Sequence, residues 1–104
     1  MLIMPNASWK TVERKVAEMV GGARAGPMGQ GQGDVIHPIF HIEVKAYQDA
    51  RVPGLALWEK TKGLAARNGK EPLVVYHPKG SHKYMAVVDL DYLMDLVHLA
   101  GKNV

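Results

Sequence analysis

The sequence predicts a single α/β domain in which a mixed central sheet is flanked by helices, with the element order αβββαββα. Three observations give this prediction. Three segments carry apolar residues at helical spacing, short β-branched runs bounded by glycine and proline separate them, and 104 residues suffice for one core. The predicted domain therefore spans residues 1–104.

A first helix is predicted over about residues 8–21. Ser8 suits the N-cap, and the pair Gly21-Gly22 supplies a stop signal. The apolar residues that recur at helical spacing are Trp9, Val12, Val16, Met19 and Val20.

Three strands and one loop are predicted next. A short strand at Ala23–Ala25 precedes Gly26–Gly33, a glycine-rich segment without periodicity that predicts a loop. Asp34–His37 and Ile39–Tyr47 have the composition of two strands joined at His37-Pro38. We therefore expect these two strands to pair as a hairpin.

The second half of the chain is predicted to hold a helix, a hairpin and a last helix. Their ranges are Pro53–Asn68, Leu73–His77 with Tyr84–Val88, and Leu90–Ala100. The residues expected to face inward are Leu57, Trp58, Leu64 and Ala65 in the first of these helices and Leu90, Leu93, Val97 and Ala100 in the second.

Composition and charge restrict the classes of function. The absence of cysteine excludes disulfides, thiolate zinc sites and cysteine nucleophiles. No apolar run approaches the ~20 residues of a membrane span, and the N-terminus breaks at Pro5, unlike a signal peptide, so we expect a cytoplasmic protein without a membrane partner. The net charge of +3 is concentrated in residues 46–83, which carry seven basic and three acidic residues. Such a distribution fits a nucleic-acid partner and a solvated basic surface equally well.

A carboxylate–lysine pair and a second carboxylate form the candidate site. Glu43 and Lys45 lie on the same face of the predicted strand, roughly 6–7 Å apart along it. Alone, such a pair is most often an exposed ion pair, but the predicted hairpin brings Asp34 beside Glu43. Two converging carboxylates repel each other unless a cation lies between them. Oxygen ligands with open positions suit Mg²⁺, with Mn²⁺ as a substitute.

The first helix contributes a third carboxylate. At about 100° per residue, Glu13 borders the apolar stripe, whereas Glu18 falls on the solvent side. A carboxylate at the margin of a buried face needs a partner, so we expect Glu13 to reach the Asp34–Glu43 pair. His41 shares a strand face with Glu43 and lies near enough to approach a metal, although a lone strand histidine is more often a surface or interface residue.

At this point the chain resembles a known family. The ordered motifs are Glu13-Arg14 on the first helix, Arg24 before the glycine-rich loop, Gly33-Asp34-Val35, and Ile42-Glu43-Val44-Lys45. Together they resemble the PD-(D/E)xK nuclease core, with its restriction-endonuclease-like fold. More narrowly, they resemble the archaeal-type Holliday junction resolvases, especially small bacteriophage-encoded versions. The resemblance covers about residues 8–47 by motif.

The resemblance implies a Mg²⁺-dependent endodeoxyribonuclease that resolves four-way DNA junctions. In such a site Asp34, Glu43 and the Val44 carbonyl hold the metal, Lys45 helps to position the attacking water, and Glu13 completes the catalytic set. The residues expected to contact DNA are Lys10, Arg14, Arg24, Gln48, Arg51, Lys60 and Lys62. Two symmetric nicks need two such sites, which predicts a homodimer. A duplex-nicking or repair endonuclease of the same core and a non-catalytic DNA-binding accessory protein remain alternatives.

Overall fold

The element order of the chain is the one predicted. The computed structural model describes residues 5–26, 31, 33–47, 53–78 and 80–101. Its elements are α1 (Pro5–Val20), β1 (Ala23–Arg24), β2 (Val35–Ile36), β3 (Phe40–Tyr47), α2 (Leu55–Arg67), β4 (Glu71–Pro78), β5 (Met85–Val87) and α3 (Leu90–Leu99). The predicted order αβββαββα is therefore confirmed, with boundaries that shift by a few residues.

The five strands form one mixed sheet in the order β1-β2-β3-β4-β5. Strands β2 and β3 pair antiparallel, with Val35 opposite Ile42, which confirms the predicted hairpin. Strands β4 and β5 form the second predicted hairpin. Strands β3 and β4 run parallel, because α2 carries the chain back to the starting edge of the sheet, as a parallel connection requires.

Helix α1 covers one face of the sheet. It begins at Pro5, three residues before the predicted N-cap, since proline is well suited to a first helical turn. The core under it consists of Val12, Val16, Ala17, Val35, Ile42, Val44, Leu73 and Val75. Met19, which we expected within the apolar repeat, is 57% exposed, because it lies at the margin of the face that Val12 and Val16 define.

Helix α2 packs against β3 and β4. Thr61 and Ala65 are its buried residues, while Leu57, Trp58 and Leu64 are half-buried. The helix ends at the C-cap residue Asn68, and the following Gly69 has a φ of +65°, the left-handed conformation that commonly stops a helix.

Helix α3 differs from the prediction in its packing. None of its residues is buried, and Leu90, Leu93 and Ala100, which we expected to face inward, are exposed, with Val97 half-buried. Its polar residues Asp91, Asp95 and His98 share one stripe, so its apolar residues span the broad remaining arc. The neighbouring β5 is only three residues long, which leaves little sheet surface to cover that arc. Tyr92 meets the Phe40 ring edge-on, with 5.7 Å between centroids. Within the described residues, no helix has both the length and the hydropathy to cross a bilayer.

Candidate active site

Asp34 is fixed in place by the β2–β3 hairpin. Its backbone N–H donates to the Ile42 carbonyl at 2.8 Å, and its Oδ2 accepts a hydrogen bond from the Val44 N–H, also at 2.8 Å. The chain approaches β3 closely here: Gly33 has a φ of +86°, and a Cβ at this position would lie 2.5 Å from the Ile42 carbonyl oxygen. Glycine at position 33 therefore permits the contact that aligns Asp34 with Glu43.

Asp34 and Glu43 converge, as the hairpin prediction required. Burial raises the pKa of the Glu43 carboxyl above its ordinary value, and the charge of Asp34 and a hydrogen bond with it raise that pKa further. The Glu43 side chain is 17% exposed, so water screens this repulsion only in part. The pair consequently favours either a shared proton or a bound cation.

Glu13 lies near this pair but has its own partner. The residue is 2% exposed, and its Oε1 accepts a hydrogen bond from the Arg24 Nε at 2.8 Å. Burial raises the pKa of Glu13, the bond from Arg24 opposes the rise, and the charges of Asp34 and Glu43 add to it. Glu18 is exposed, as predicted. The Nε of Arg24, a predicted DNA contact, donates to the buried carboxylate of Glu13, and the side chain also lines the cleft described next; its contact with DNA stays a prediction.

A cleft of about 310 Å³ opens beside these residues. It is lined by Lys10, Glu13, Arg24, Ala25, Gly26, Gly33 and Asp34. The cleft therefore includes two of the three carboxylates and the exposed Lys10, which was a predicted DNA contact. Arg14 is also exposed.

Glu43 and Lys45 lie on the sheet face that α2 covers. Side chains alternate along β3, so Ile42 and Val44 face α1 while His41, Glu43 and Lys45 face the other way. Lys45 is half-buried and stands opposite Tyr76 in the parallel register. The predicted shared face of Glu43 and Lys45 is therefore present, although neither residue lines the cleft.

His41 is buried, contrary to the expectation of a surface or interface residue. It is 0% exposed, and its Nε2 lies 3.2 Å from the Glu43 Oε1. Its Nδ1 lies 3.2 Å from the Asn68 Nδ2, which also donates to the Gly31 carbonyl at 2.6 Å. The sequence analysis did not single out Asn68, because its position at the end of α2 indicated only a helix terminus.

Two of the other predicted DNA contacts, Lys60 and Lys62, lie on different flanks of α2. At about 100° per residue, Lys60 and Lys62 lie roughly 200° apart around the helix. Lys62 shares the stripe of Leu55 and Trp58, which line a groove against β5. Lys60 shares the opposite stripe with Arg67, on the groove that both residues line. Gln48 and Arg51 lie outside the described residues.

The donor set limits how a metal could be held. Among the described residues, no group of three or more histidine and carboxylate side chains has the arrangement of a metal site. The chain offers the two carboxylates Asp34 and Glu43 and one backbone carbonyl. The Val44 N–H points to Asp34, and its carbonyl points to the same side because the N–H and C=O of one strand residue share a direction. Such a set fits Mg²⁺, which commonly binds one or two carboxylates and keeps several waters.

Comparison of the chain with protein-family models, curated proteins and solved structures found no match. The candidate site is therefore argued from its residues and their geometry.

Proposed function

We propose that the chain is a metal-dependent, structure-selective endodeoxyribonuclease that resolves four-way DNA junctions, with a restriction-endonuclease-like topology. The observation that carries the proposal is the convergence of Asp34 and Glu43 at one edge of the hairpin. Two carboxylates in contact favour a shared proton or a bound cation, and we choose the cation because Asp34, Glu43 and the Val44 carbonyl form an oxygen donor set that suits Mg²⁺. The order of elements and the burial of Glu13 beside the pair add support.

Asp34, Glu43 and the Val44 carbonyl would hold Mg²⁺ or Mn²⁺ in this proposal. When bound, the ion supplies positive charge to the scissile phosphate and promotes ionisation of the attacking water. Lys45, on the face of Glu43, would donate to that water or to the phosphate. Glu13 and Arg24 would act as a pair, in which the hydrogen bond from Arg24 opposes the burial-driven rise of the Glu13 pKa and holds the carboxylate beside the cleft that both residues line.

The proposed DNA contacts follow from the positions of the basic residues. Lys10 lines the cleft beside Glu13 and Asp34, and the exposed Arg14 lies on the same helix. Lys60 and Arg67 form a second basic surface, on the flank of α2 that faces away from β5. We leave Lys62 out of the proposed DNA-binding surface, because it lies on the other side of α2, on the stripe with Leu55 and Trp58 that faces β5.

A homodimer completes the proposal. Each chain holds one Asp34–Glu43 pair, and two symmetric nicks need two of them. Helix α3 supplies apolar surface of the kind that protein interfaces use, since Leu90 is 68% exposed and Leu99 is 82% exposed. We therefore place the contact between copies on α3.

Cleavage of a labelled synthetic four-way junction, compared with a linear duplex of the same arm sequence, tests the proposal. The wild type should cut the junction with Mg²⁺ and not with EDTA. Asp34→Asn and Glu43→Gln should each abolish cutting and leave junction binding intact, because each keeps the side-chain volume and removes one ligand charge. Glu18→Gln, an exposed glutamate on α1, is the matched control and should cut at the wild-type rate.

Other outcomes of this assay would support one of the two alternative functions. Equal cutting of junction and duplex would favour a duplex-nicking or repair endonuclease. Binding of both DNAs without Mg²⁺-dependent cutting would favour a DNA-binding accessory protein. Wild-type cutting by Asp34→Asn or Glu43→Gln would contradict the proposed site.

A further inference from the structure

A chain of hydrogen bonds runs from the exposed Asn68 at the end of α2, through the buried His41, to the carboxylate pair. Asn68, at the C-cap of α2, meets the His41 Nδ1 at 3.2 Å, and the His41 Nε2 meets the Glu43 Oε1 at 3.2 Å. Glu43 in turn contacts Asp34. These hydrogen bonds thus connect the β2–β3 hairpin to Asn68, which lies 27 residues after His41 in the sequence.

The hydrogen-bond partners of Asn68 and His41 show which of their atoms donate and which accept. The Asn68 Nδ2 lies 2.6 Å from the Gly31 carbonyl oxygen, which only accepts, so this atom of Asn68 is the amide nitrogen. Its second hydrogen faces the His41 Nδ1, which must then accept. The proton of the neutral ring consequently lies on Nε2, and His41 donates it to Glu43.

We propose that Asn68 and His41 are positioning residues that hold Glu43 in the orientation needed for metal binding. This inference rests on the proposed function, because it concerns the same metal site. His41 does not act as a metal ligand in this arrangement, since both ring nitrogens are engaged within the protein. Outer partners that orient a ligating carboxylate commonly change metal affinity or activity by about 10–100-fold when they are removed.

If His41 served only the stability of the fold, it would be equally buried, but its substitution would have a different effect. A satisfied buried residue contributes to stability through its hydrogen bonds, and its loss would lower the unfolding temperature without a specific effect on Mg²⁺. If His41 orients Glu43, by contrast, its substitution should weaken the affinity for Mg²⁺. The two roles are therefore separated by metal dependence measured on folded protein.

The experiment measures two quantities besides the cleavage rate. Isothermal calorimetry gives the Mg²⁺ affinity of the wild type and of Asn68→Ala, and the ring ¹⁵N shifts of His41 give its tautomer. We expect the Nε2–H tautomer in the wild type and its loss in Asn68→Ala, together with a Mg²⁺ affinity about 10–100-fold weaker. His41→Gln retains an amide donor near Nε2, so its Mg²⁺ affinity should be closer to the wild type than that of His41→Leu.

Thr61→Val is the matched control. It removes a buried hydrogen bond of the same helix, from the Thr61 Oγ1 to the Leu57 carbonyl at 2.8 Å, and should lower the unfolding temperature without changing Mg²⁺ affinity. If Asn68→Ala does not fold, the Mg²⁺ affinities of His41→Gln and His41→Leu test the inference instead. Equal affinities for these two variants would contradict it.

The possible outcomes distinguish a failure of this inference from a failure of the proposed function. Wild-type Mg²⁺ affinity in folded Asn68→Ala, or an Nδ1–H tautomer in the wild type, would overturn the inference and leave a nuclease assignment intact. A wild type that binds Mg²⁺ but cuts no DNA would overturn the proposed function alone. Absence of Mg²⁺ binding by the wild type would overturn both.

Discussion

Arg24→Ala should destabilise the protein strongly, because it leaves the Glu13 carboxylate buried without its ion-pair partner. Glu13 is 2% exposed, and the Arg24 Nε lies 2.8 Å from its Oε1. Breaking a fully buried ion pair costs ~3–5 kcal/mol. Since the Arg24 side chain is 24% exposed, water replaces part of the loss, and we expect about 2–3 kcal/mol.

The loss of unfolding free energy caused by Arg24→Ala should depend on pH. Burial and the charges of Asp34 and Glu43 raise the pKa of Glu13 from an ordinary value of 4.5, and Arg24 opposes them. Without Arg24 that pKa rises further. A carboxyl with a raised folded-state pKa destabilises the fold at pH values above that pKa, and the penalty disappears as pH falls toward 4.5. The variant should therefore regain stability on acidification.

Urea unfolding followed by far-UV circular dichroism measures this effect. At about pH 8 the loss should reach about 2–3 kcal/mol, equivalent to a melting temperature lower by about 10–20 °C, and it should shrink at about pH 5. Arg14→Ala, an exposed arginine next to Glu13 in the chain, is the matched control and should stay within about 0.5 kcal/mol of the wild type. Equal losses for the two variants, or a loss independent of pH, would refute the reasoning.

Three further predictions concern the backbone, the surface and the assembly. Gly33→Ala should cost about 2–4 kcal/mol, because it adds a contact with the Ile42 carbonyl to a strained backbone, whereas Gly31→Ala, with similar φ but open space, should cost about 1 kcal/mol by the same urea assay. Lys60→Ala should reduce the slope of log junction affinity against log salt by about one unit in a binding titration, and Lys62→Ala should leave the slope unchanged. Leu99→Glu should give a folded monomer in analytical ultracentrifugation; a dimer that persists would exclude α3 as the interface.

Local sequence patterns predicted the elements and the hairpin well. The turn at His37-Pro38 and the alternation along β3 were enough to place Asp34 against Glu43, because these residues are close in sequence and their pairing follows from strand geometry. The margin position of Glu13 on α1 was likewise visible in the helical spacing.

The sequence did not predict which partners the buried polar groups select. The contact of His41 with Asn68 spans 27 residues and depends on where the end of α2 lands on β3, which periodicity does not specify. Arg24 was assigned a DNA contact from the resemblance to the nuclease core, and the sequence did not show that its Nε pairs with Glu13, eleven residues earlier on α1. Helix α3 is exposed although its apolar spacing predicted a buried face. Such spacing indicates which residues a helix could bury, but it does not show whether another part of the chain packs against them.

The parallel pairing of β3 with β4 has a consequence for the order in which the molecule folds. The contact of Asp34 with Val44 closes a loop of only ten residues, but a two-stranded hairpin alone is marginally stable in water. The Asn68–His41 contact requires α2 to cross over and dock, a non-local step that is slow because the loop entropy is lost before the contacts form. The β2–β3 hairpin therefore stays marginally stable until α2 docks and brings Asn68 to His41. The proposed Mg²⁺-dependent activity would then appear only after the crossover is complete, so it would report on the whole fold.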